Sequence, residues 1–194
     1  MSAQPFLIGE PVALDLVNTR PAGTDLLTTT GELAEWLRRQ GDRLPAPERP
    51  SAEDLRRVRE VRDHLAAILE ALLRGRRPPE SALRGLRAAQ SAAPAIRDLH
   101  WDGTAFTATV TRTGPRGARL SAALADSAVD LLADPAIARL KQCEAHDCVL
   151  LFVPAHPRRR WCSPQRCGNR VRVARYYDRH AAGVRPESQG AEGR

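Results

Sequence analysis

The sequence has very little lysine, few aromatic residues and no long apolar run. Lys141 is the only lysine, and the aromatic residues are three Trp, two Tyr and three Phe. No apolar stretch approaches the roughly 18–20 residues that a membrane-spanning helix needs. The opening residues, MSAQPFLIGEP, lack the basic leader and the apolar stretch of a secretory signal. We therefore expect a cytoplasmic protein whose core consists mostly of Leu, Val and Ala.

Motifs that carry catalysis are also missing. The sequence contains no P-loop, no glycine-rich dinucleotide turn and no Cys/His arrangement typical of nucleophilic enzymes. We therefore expect that the protein is not an enzyme.

Acidic residues are almost absent from one basic segment. Residues 153–180 contain eight arginines and one acid, Asp178, which gives this segment a charge of +7, whereas residues 1–142 carry only +2. Arginine is abundant throughout the chain, but a general coding bias would not concentrate the charge in 28 residues. A local basic cluster is typical of a surface that meets a polyanion.

The four cysteines lie within this segment or just before it, in the pattern C-x4-C, 13 residues, C-x4-C. Two evenly spaced pairs in a reducing compartment indicate a tetrahedral zinc site formed by Cys143, Cys148, Cys162 and Cys167. His146 and His156 are alternative ligands, although four cysteines already complete the coordination sphere. Unrelated free thiols and disulfides are further alternatives. A site filled by four thiolates leaves no position for a catalytic water.

The residues around the cysteines predict a small metal-dependent module. VLLFVPAHPRRRW is typical of a strand, a turn and a return to Trp161, which together would make a hairpin. Ser163 and Pro164 suit the N-cap and the first position of a helix that runs to about Ala182. A knuckle, a hairpin and a helix that carries the last ligand make a treble-clef-like finger, whose folding we expect to depend on zinc.

Helical periodicity sorts the final helix into faces. Val173, Ala174 and Tyr177 fall beside the metal and are expected to be buried, whereas Arg172, Arg175 and Arg179 form a stripe that points away. Arg170 falls on the apolar side and Asn169 on the border. The stripe adjoins three arginines before Trp161, so contact with nucleic acid is favoured over simple solvation. The predicted nucleic-acid-binding residues are Arg158, Arg159, Arg160, Asn169, Arg170, Arg172, Arg175 and Arg179.

The segment CEAHDCVLLFVPAHPRRRWCSPQRCGNRVRVARYYDRH resembles the CGNR zinc finger, named for the sequence found here at residues 167–170. PVALDLVNTR and LAEWLRRQG resemble the ABATE domain, which accompanies this finger in bacterial proteins predicted to be stress-induced transcription regulators. The resemblance implies one zinc ion bound by the four cysteines, DNA binding by the finger, and a sensing role for the N-terminal domain.

The N-terminal region shows helical patterns of its own. PVALDLVNTR suits either a short helix or a buried strand. Helices are predicted for GELAEWLRRQG, for Ser51–Gly75, near 79–90 and for ARLSAALADSAVDLLAD. Between the last two, Asp102-Gly103 lies between β-prone flanks and predicts a hairpin. The fold class is therefore mainly α with a small β-hairpin (α+β), followed by the zinc finger.

The predicted domains are an ABATE-like sensing domain at 1–142, a CGNR-type finger at 143–182 and a disordered tail at 183–194. Asp15, Asn18 and Arg20 could line a polar ligand pocket with Trp36 as its apolar wall. The alternative, that Asn18 ends a helix while Trp36 fills the core, is favoured because nothing in the sequence brings these side chains together.

We expect a zinc-dependent regulator that binds double-stranded DNA. The alternatives are an RNA-binding or translation-associated zinc module and, in third place, a nuclease. The sequence leaves room for a small-molecule effector and for a homodimer.

Overall fold

The computed structural model describes residues 8–44, 47 and 49–181. The ends of the predicted domains at 1–7 and 182, and the predicted tail, lie outside these residues. The described part is mainly helical with two small antiparallel sheets. Its elements are α1 (Val12–Val17), α2 (Thr30–Gln40), α3 (Ala52–Leu73), α4 (Glu80–Ala92), β1 (Ala95–Trp101), β2 (Phe106–Arg112), α5 (Arg116–Ala133), β3 (Lys141–Gln142), β4 (Leu151–Phe152) and α6 (Asn169–Ala181).

The four helices predicted in the N-terminal region are confirmed, and PVALDLVNTR forms a helix. Side-chain capping explains where two of these helices begin. Thr29 caps α2 and Ser51 caps α3, each in a capping box that Glu32 and Asp54 complete three residues later. The hairpin is also confirmed, since β1 pairs with β2 across the Asp102-Gly103 turn.

The core lies where α5 packs against α1, α3 and α4. Helix α3 buries residues at helical spacing, and Trp36 of α2 is fully buried in the same cluster. The fully buried side chains include Leu14, Leu16, Leu65, Leu69 and Leu124. Apolar burial at a 3.6-residue period on several helices gives this region its own core.

One buried charge fixes the loop between α1 and α2. The Arg62 side chain is 1% exposed, and both terminal nitrogens donate to the Asp25 carboxylate at 2.6 Å. Burial raises the pKa of Asp25, but the hydrogen bonds and charge of Arg62 outweigh it, so the net pKa is lowered. The loop is thereby tied to α3.

The finger hairpin is arranged differently from the prediction. β4 pairs with β3, in the register Lys141 to Phe152 and Gln142 to Leu151, so its partner precedes Cys143 instead of leading to Trp161. The predicted return strand was wrong because the knuckle that carries Cys143 and Cys148 is itself the loop of the hairpin between β3 and β4. This strand pair spans the predicted boundary at residue 142.

None of the helices formed by described residues has both the length and the apolar character needed to cross a bilayer.

Candidate zinc site and basic helix

The hairpin, the following loop and the start of the last helix bring the four cysteines together. Their Sγ atoms all lie within 4.8 Å of one another. Cys148 and Cys162 are 3.8 Å apart, Cys162 and Cys167 are 3.5 Å apart, and Cys167 and Cys148 are 3.8 Å apart. Tetrahedral zinc with Zn–S bonds of about 2.3 Å requires sulfur–sulfur separations of about 3.8 Å. The thiols therefore match the dimensions of a zinc site.

The first pair sits on a tight knuckle. Cys148 N–H donates to the Ala145 carbonyl at 3.1 Å, and Asp147 adopts φ 60°, the left-handed conformation that Asp tolerates better than most residues. This turn brings Cys148 back beside Cys143 although four residues separate them.

The second pair is positioned by a helix start, as predicted. Ser163 Oγ accepts the Arg166 N–H at 3.2 Å, and Pro164 occupies the first turn. A wide π turn follows over Pro164–Gly168, in which Gly168 N–H donates to the Ser163 carbonyl at 3.0 Å. Cys167 lies in this turn and faces Cys162 before the regular α-helix begins.

The surroundings of the thiols shift their pKa values in opposite directions. Burial raises the pKa of Cys148 to about 11, and burial together with the neighbouring thiols raises the pKa of Cys162 further. Burial also acts on Cys143, but hydrogen bonds from the Ala145 and Cys162 backbones outweigh it and lower its pKa. Zinc binding must displace the thiol protons, so metal affinity falls with decreasing pH.

The two histidines lie outside the sulfur cluster. The His146 side chain is 95% exposed, with Nδ1 2.6 Å from the Asp147 carboxylate. His156 Nδ1 accepts the Arg158 N–H at 3.2 Å. Among the described residues, the four cysteines are the group that could hold a metal ion, and their donor set suits one structural zinc ion.

Six of the predicted nucleic-acid-binding arginines are exposed along the finger: Arg158, Arg160, Arg170, Arg172, Arg175 and Arg179. Arg172 donates to the Gly168 carbonyl at 3.4 Å and to Asn169 Oδ1, and Arg179 donates to the Arg175 carbonyl at 3.2 Å. These are local helix contacts. Asn169, also exposed, begins α6 and orients Arg172.

Three of the predicted arginines, the half-buried Arg159 and the exposed Arg160 and Arg170, bond to other parts of the protein. Arg160 pairs with Glu144 at 2.6 Å, and Arg170 donates to the His146 carbonyl at 2.9 Å. Arg159 makes the most contacts. Its guanidinium lies 4.5 Å from the centre of the Phe152 ring, and it donates to the carbonyls of Cys162 at 2.7 Å and Trp161 at 3.1 Å, as well as to Glu10. Arg159 therefore supports the finger from within.

The predicted burial of α6 was wrong. Val173 is 54% exposed, Tyr177 is 66% exposed and Ala174 is exposed, whereas Val171 packs against the cysteine cluster. Helical periodicity gives the faces of a helix but not how far along its length it is covered. Here α6 leaves the finger core after about its first turn.

The predicted ligand-binding residues, Asn18, Arg20 and Trp36, do not form a common pocket wall. Each contacts a different part of the protein. The Asn18 side chain donates to the Leu151 carbonyl and accepts the Leu151 N–H, both at 2.8 Å. Arg20 forms an exposed ion pair with Asp63 at 3.2 Å. Trp36 is fully buried in the core, which agrees with the favoured alternative. The amide of Asn18 thus completes the pairing of strand β4.

Glu10, which the sequence did not single out, is the second residue that joins the two regions. It is 7% exposed, accepts from Arg159 at 2.6 Å and accepts the Val153 N–H at 3.1 Å. Asp15 holds it in place by accepting the N–H of Gly9 at 3.2 Å and of Glu10 at 3.0 Å. An isolated glutamate before a proline gives no sequence signal for such a distant contact.

With Asn18, Glu10 forms a seam between the regions, defined here as Glu10 and Asn18 on one side and Leu151, Val153 and Arg159 on the other. Leu151 also joins the N-terminal apolar core. Polar and apolar contacts therefore hold the finger on the N-terminal region.

Two family models match the chain. Residues 10–135 match ABATE, described as "Putative stress-induced transcription regulator", and residues 139–180 match the CGNR zinc finger. No curated protein gives a significant match. The family match and the sulfur geometry together assign one zinc ion to the four cysteines.

Proposed function

We propose that this chain, which belongs to the ABATE family of transcription regulators, binds double-stranded DNA through the exposed basic face of its zinc finger. The single observation that carries the proposal is the stripe of exposed arginines on α6, a helix that begins two residues after the zinc ligand Cys167. Zinc bound to Cys167 would fix the turn that leads into α6, and the helix extends beyond the finger core after about its first turn. A basic helix that is held firmly at one end and projects from the protein can contact the phosphate backbone of a nucleic acid.

The arginine contacts divide the basic segment into two groups. Arg159, Arg160 and Arg170 bond to other parts of the protein. Arg159 is half-buried, so its main role is structural, whereas Arg160 and Arg170 remain exposed. Arg172, Arg175 and Arg179 span eight residues of helix, or about 10 Å for seven steps of 1.5 Å. Their exposed guanidinium groups can reach neighbouring phosphates along a groove, with Arg158 beside them.

Asn169 is the proposed specificity residue. It is exposed at the start of α6, and its Oδ1 accepts a hydrogen bond from Arg172. Asn pairs with adenine edges in the major groove. A base contact by Asn169 would couple base recognition to the position of a phosphate-binding arginine.

The N-terminal region is proposed as the part that senses a signal and passes it to the finger. The seam supports this, because Asn18 and Glu10 bond directly to the strand and loop that lie between the two cysteine pairs. A ligand that moves α1 would move the finger with it. A cytoplasmic location and the absence of enzymatic activity complete the proposal.

The proposal is tested by selecting sequences from a random DNA pool with zinc-loaded protein, then titrating the selected duplex and an RNA of the same sequence across a salt series. Arg172→Ala, Arg175→Ala and Arg179→Ala should each weaken binding to all sequences similarly. Each should also reduce the slope of log affinity against log salt by about 1. The control is Arg77→Ala, which removes a charge 85% exposed outside the finger and should leave affinity unchanged.

Asn169→Ala should reduce discrimination between selected and random duplex by roughly 1–3 kcal/mol and leave the salt slope unchanged. Tighter binding of RNA than of duplex DNA, or unchanged affinity in all three arginine variants, would contradict the proposal. Incubation with plasmid and Mg²⁺ tests the nuclease alternative, which requires cleavage that copurifies with the protein.

A further inference from the structure

The hairpin formed by β1 and β2 has one polar face and one apolar face. Side chains alternate along a strand, and cross-strand partners share a face. On the polar face, Thr111 donates to Asp98 at 2.9 Å, and His100 lies 3.2 Å from Thr109 Oγ1. The side chains of this face therefore partner one another within the hairpin.

The opposite face is apolar and exposed. The register places Leu99 opposite Ala108 and Trp101 opposite Phe106, with Val110 further along the same face. Leu99 is 68% exposed, Trp101 57%, Phe106 69% and Val110 61%. The one ring contact recorded on this face is between Trp101 and Phe106, with centroids 4.8 Å apart. A contiguous apolar patch that includes two aromatic residues is a mark of an interaction surface.

We propose that a second copy of this chain covers this apolar face, so that two hairpins pack face to face in a homodimer. The face is defined as Leu99, Trp101, Phe106, Ala108 and Val110. Two sheets of two strands, packed by their apolar faces, would bury a small shared core and leave both polar faces in solvent.

The available area supports this occupant. The exposed fractions of the four large side chains correspond to about 500 Å² per chain, since an aromatic side chain alone can bury 150–250 Å². Two such faces reach the total of about 1,000 Å² that a specific interface needs. A two-stranded hairpin alone is also marginally stable in water, so packing against a partner would stabilise it.

Charge also favours an identical partner. Two charged residues share this side of the hairpin: Arg112 lies in the pair at its base, and Arg97 lies opposite Val110, in the next pair on this side toward the tip where Trp101 meets Phe106. Arg112 already pairs with Asp126 of α5. The half of the face nearer the tip, formed by Leu99, Trp101, Phe106 and Ala108, carries no charge, so two copies can meet there across a two-fold axis with Arg97 at the edge of the contact.

The dimer would place two basic helices on one assembly, and this consequence, unlike the dimer itself, rests on the proposed function. Oligomerisation and DNA binding are measured separately. A dimer that binds no DNA would overturn the proposed function alone, and a monomer that binds DNA would overturn the dimer alone.

The test is sedimentation of the full zinc-loaded chain over about 1–100 µM, where the expected mass is twice 21.3 kDa. The double variant Leu99→Thr/Phe106→Thr keeps β-prone residues and should weaken dimerisation by roughly 100-fold or more. Ile96→Thr is the matched control, because Ile96 is 47% exposed on the opposite face. Circular dichroism and zinc content verify that each variant is folded.

Hydrogen exchange of the natural protein provides a measurement that needs no variant. Amides of residues 95–112 should exchange more slowly as the protein concentration rises through the dissociation constant. A monomer throughout the range would overturn the proposal. So would hairpin protection that is independent of concentration, which would mean that a segment of the same chain covers the face, or protection that appears only on adding DNA.

Discussion

The N-terminal region and the finger are stabilised by different interactions. The first buries an extended apolar cluster contributed by α1, α2, α3, α4 and α5. The second buries a few residues around the thiols, with Phe152 as its one fully buried large side chain. Apolar burial can hold the first fold without a metal, whereas the finger has too small a core to do so. The difference shows that one chain can contain two folding units with separate requirements, joined at a seam.

Zinc removal gives the largest expected difference between the two regions. A high-affinity chelator should unfold residues 141–181, because structural zinc sites contribute an apparent binding free energy of about 10–16 kcal/mol. Helices α3 and α5 should remain protected in hydrogen exchange. Protein to which zinc is returned is the control, and a finger that stays protected without metal would contradict the comparison.

Truncation of a core side chain should destabilise the N-terminal region. Leu124→Ala removes a fully buried side chain of α5 and should lower the free energy of unfolding by about 3 kcal/mol. Zinc content should not change. Leu83→Ala, at a position 41% exposed on α4, is the control and should cost less than about 1 kcal/mol. Loss of zinc in the Leu124 variant would mean that the two regions fold as one unit.

Asn18→Ala tests the seam. It leaves the N–H and carbonyl of Leu151 without their partner, which should cost about 2 kcal/mol. The Leu151 amide should exchange faster. Arg20→Ala, two residues away, breaks only an exposed ion pair and should cost less than about 0.5 kcal/mol. Equal losses of stability in the two variants would mean that the hydrogen bonds of Asn18 do not help to hold the two regions together.

Arg158 and Arg159 are adjacent, but their substitutions should have different effects. Of the changes considered, this pair has the smallest expected effect on stability. Arg159→Ala removes hydrogen bonds to Glu10 and to the Cys162 carbonyl and should destabilise the finger by about 1.5 kcal/mol. Arg158→Ala should leave stability unchanged and reduce the salt slope of DNA binding by about 1. Thermal melts and salt titrations of both variants distinguish the roles, and a reversed pattern would contradict them.

The sequence by itself determined most local features. Cysteine spacing predicted the zinc site because a tetrahedral thiolate site needs paired ligands. Apolar periodicity and capping residues predicted the helices, since both act within one or two turns. Asp102-Gly103 predicted the hairpin for the same local reason.

Only the tertiary structure decided which partners meet across the chain. It paired β4 with Lys141 and Gln142, joined Asn18 to Leu151 across 133 residues, and gave Arg159 internal partners. It also left Tyr177 and the apolar hairpin face in solvent. Periodicity shows which side of an element is apolar, but whether another element covers that side depends on how the elements pack together in three dimensions.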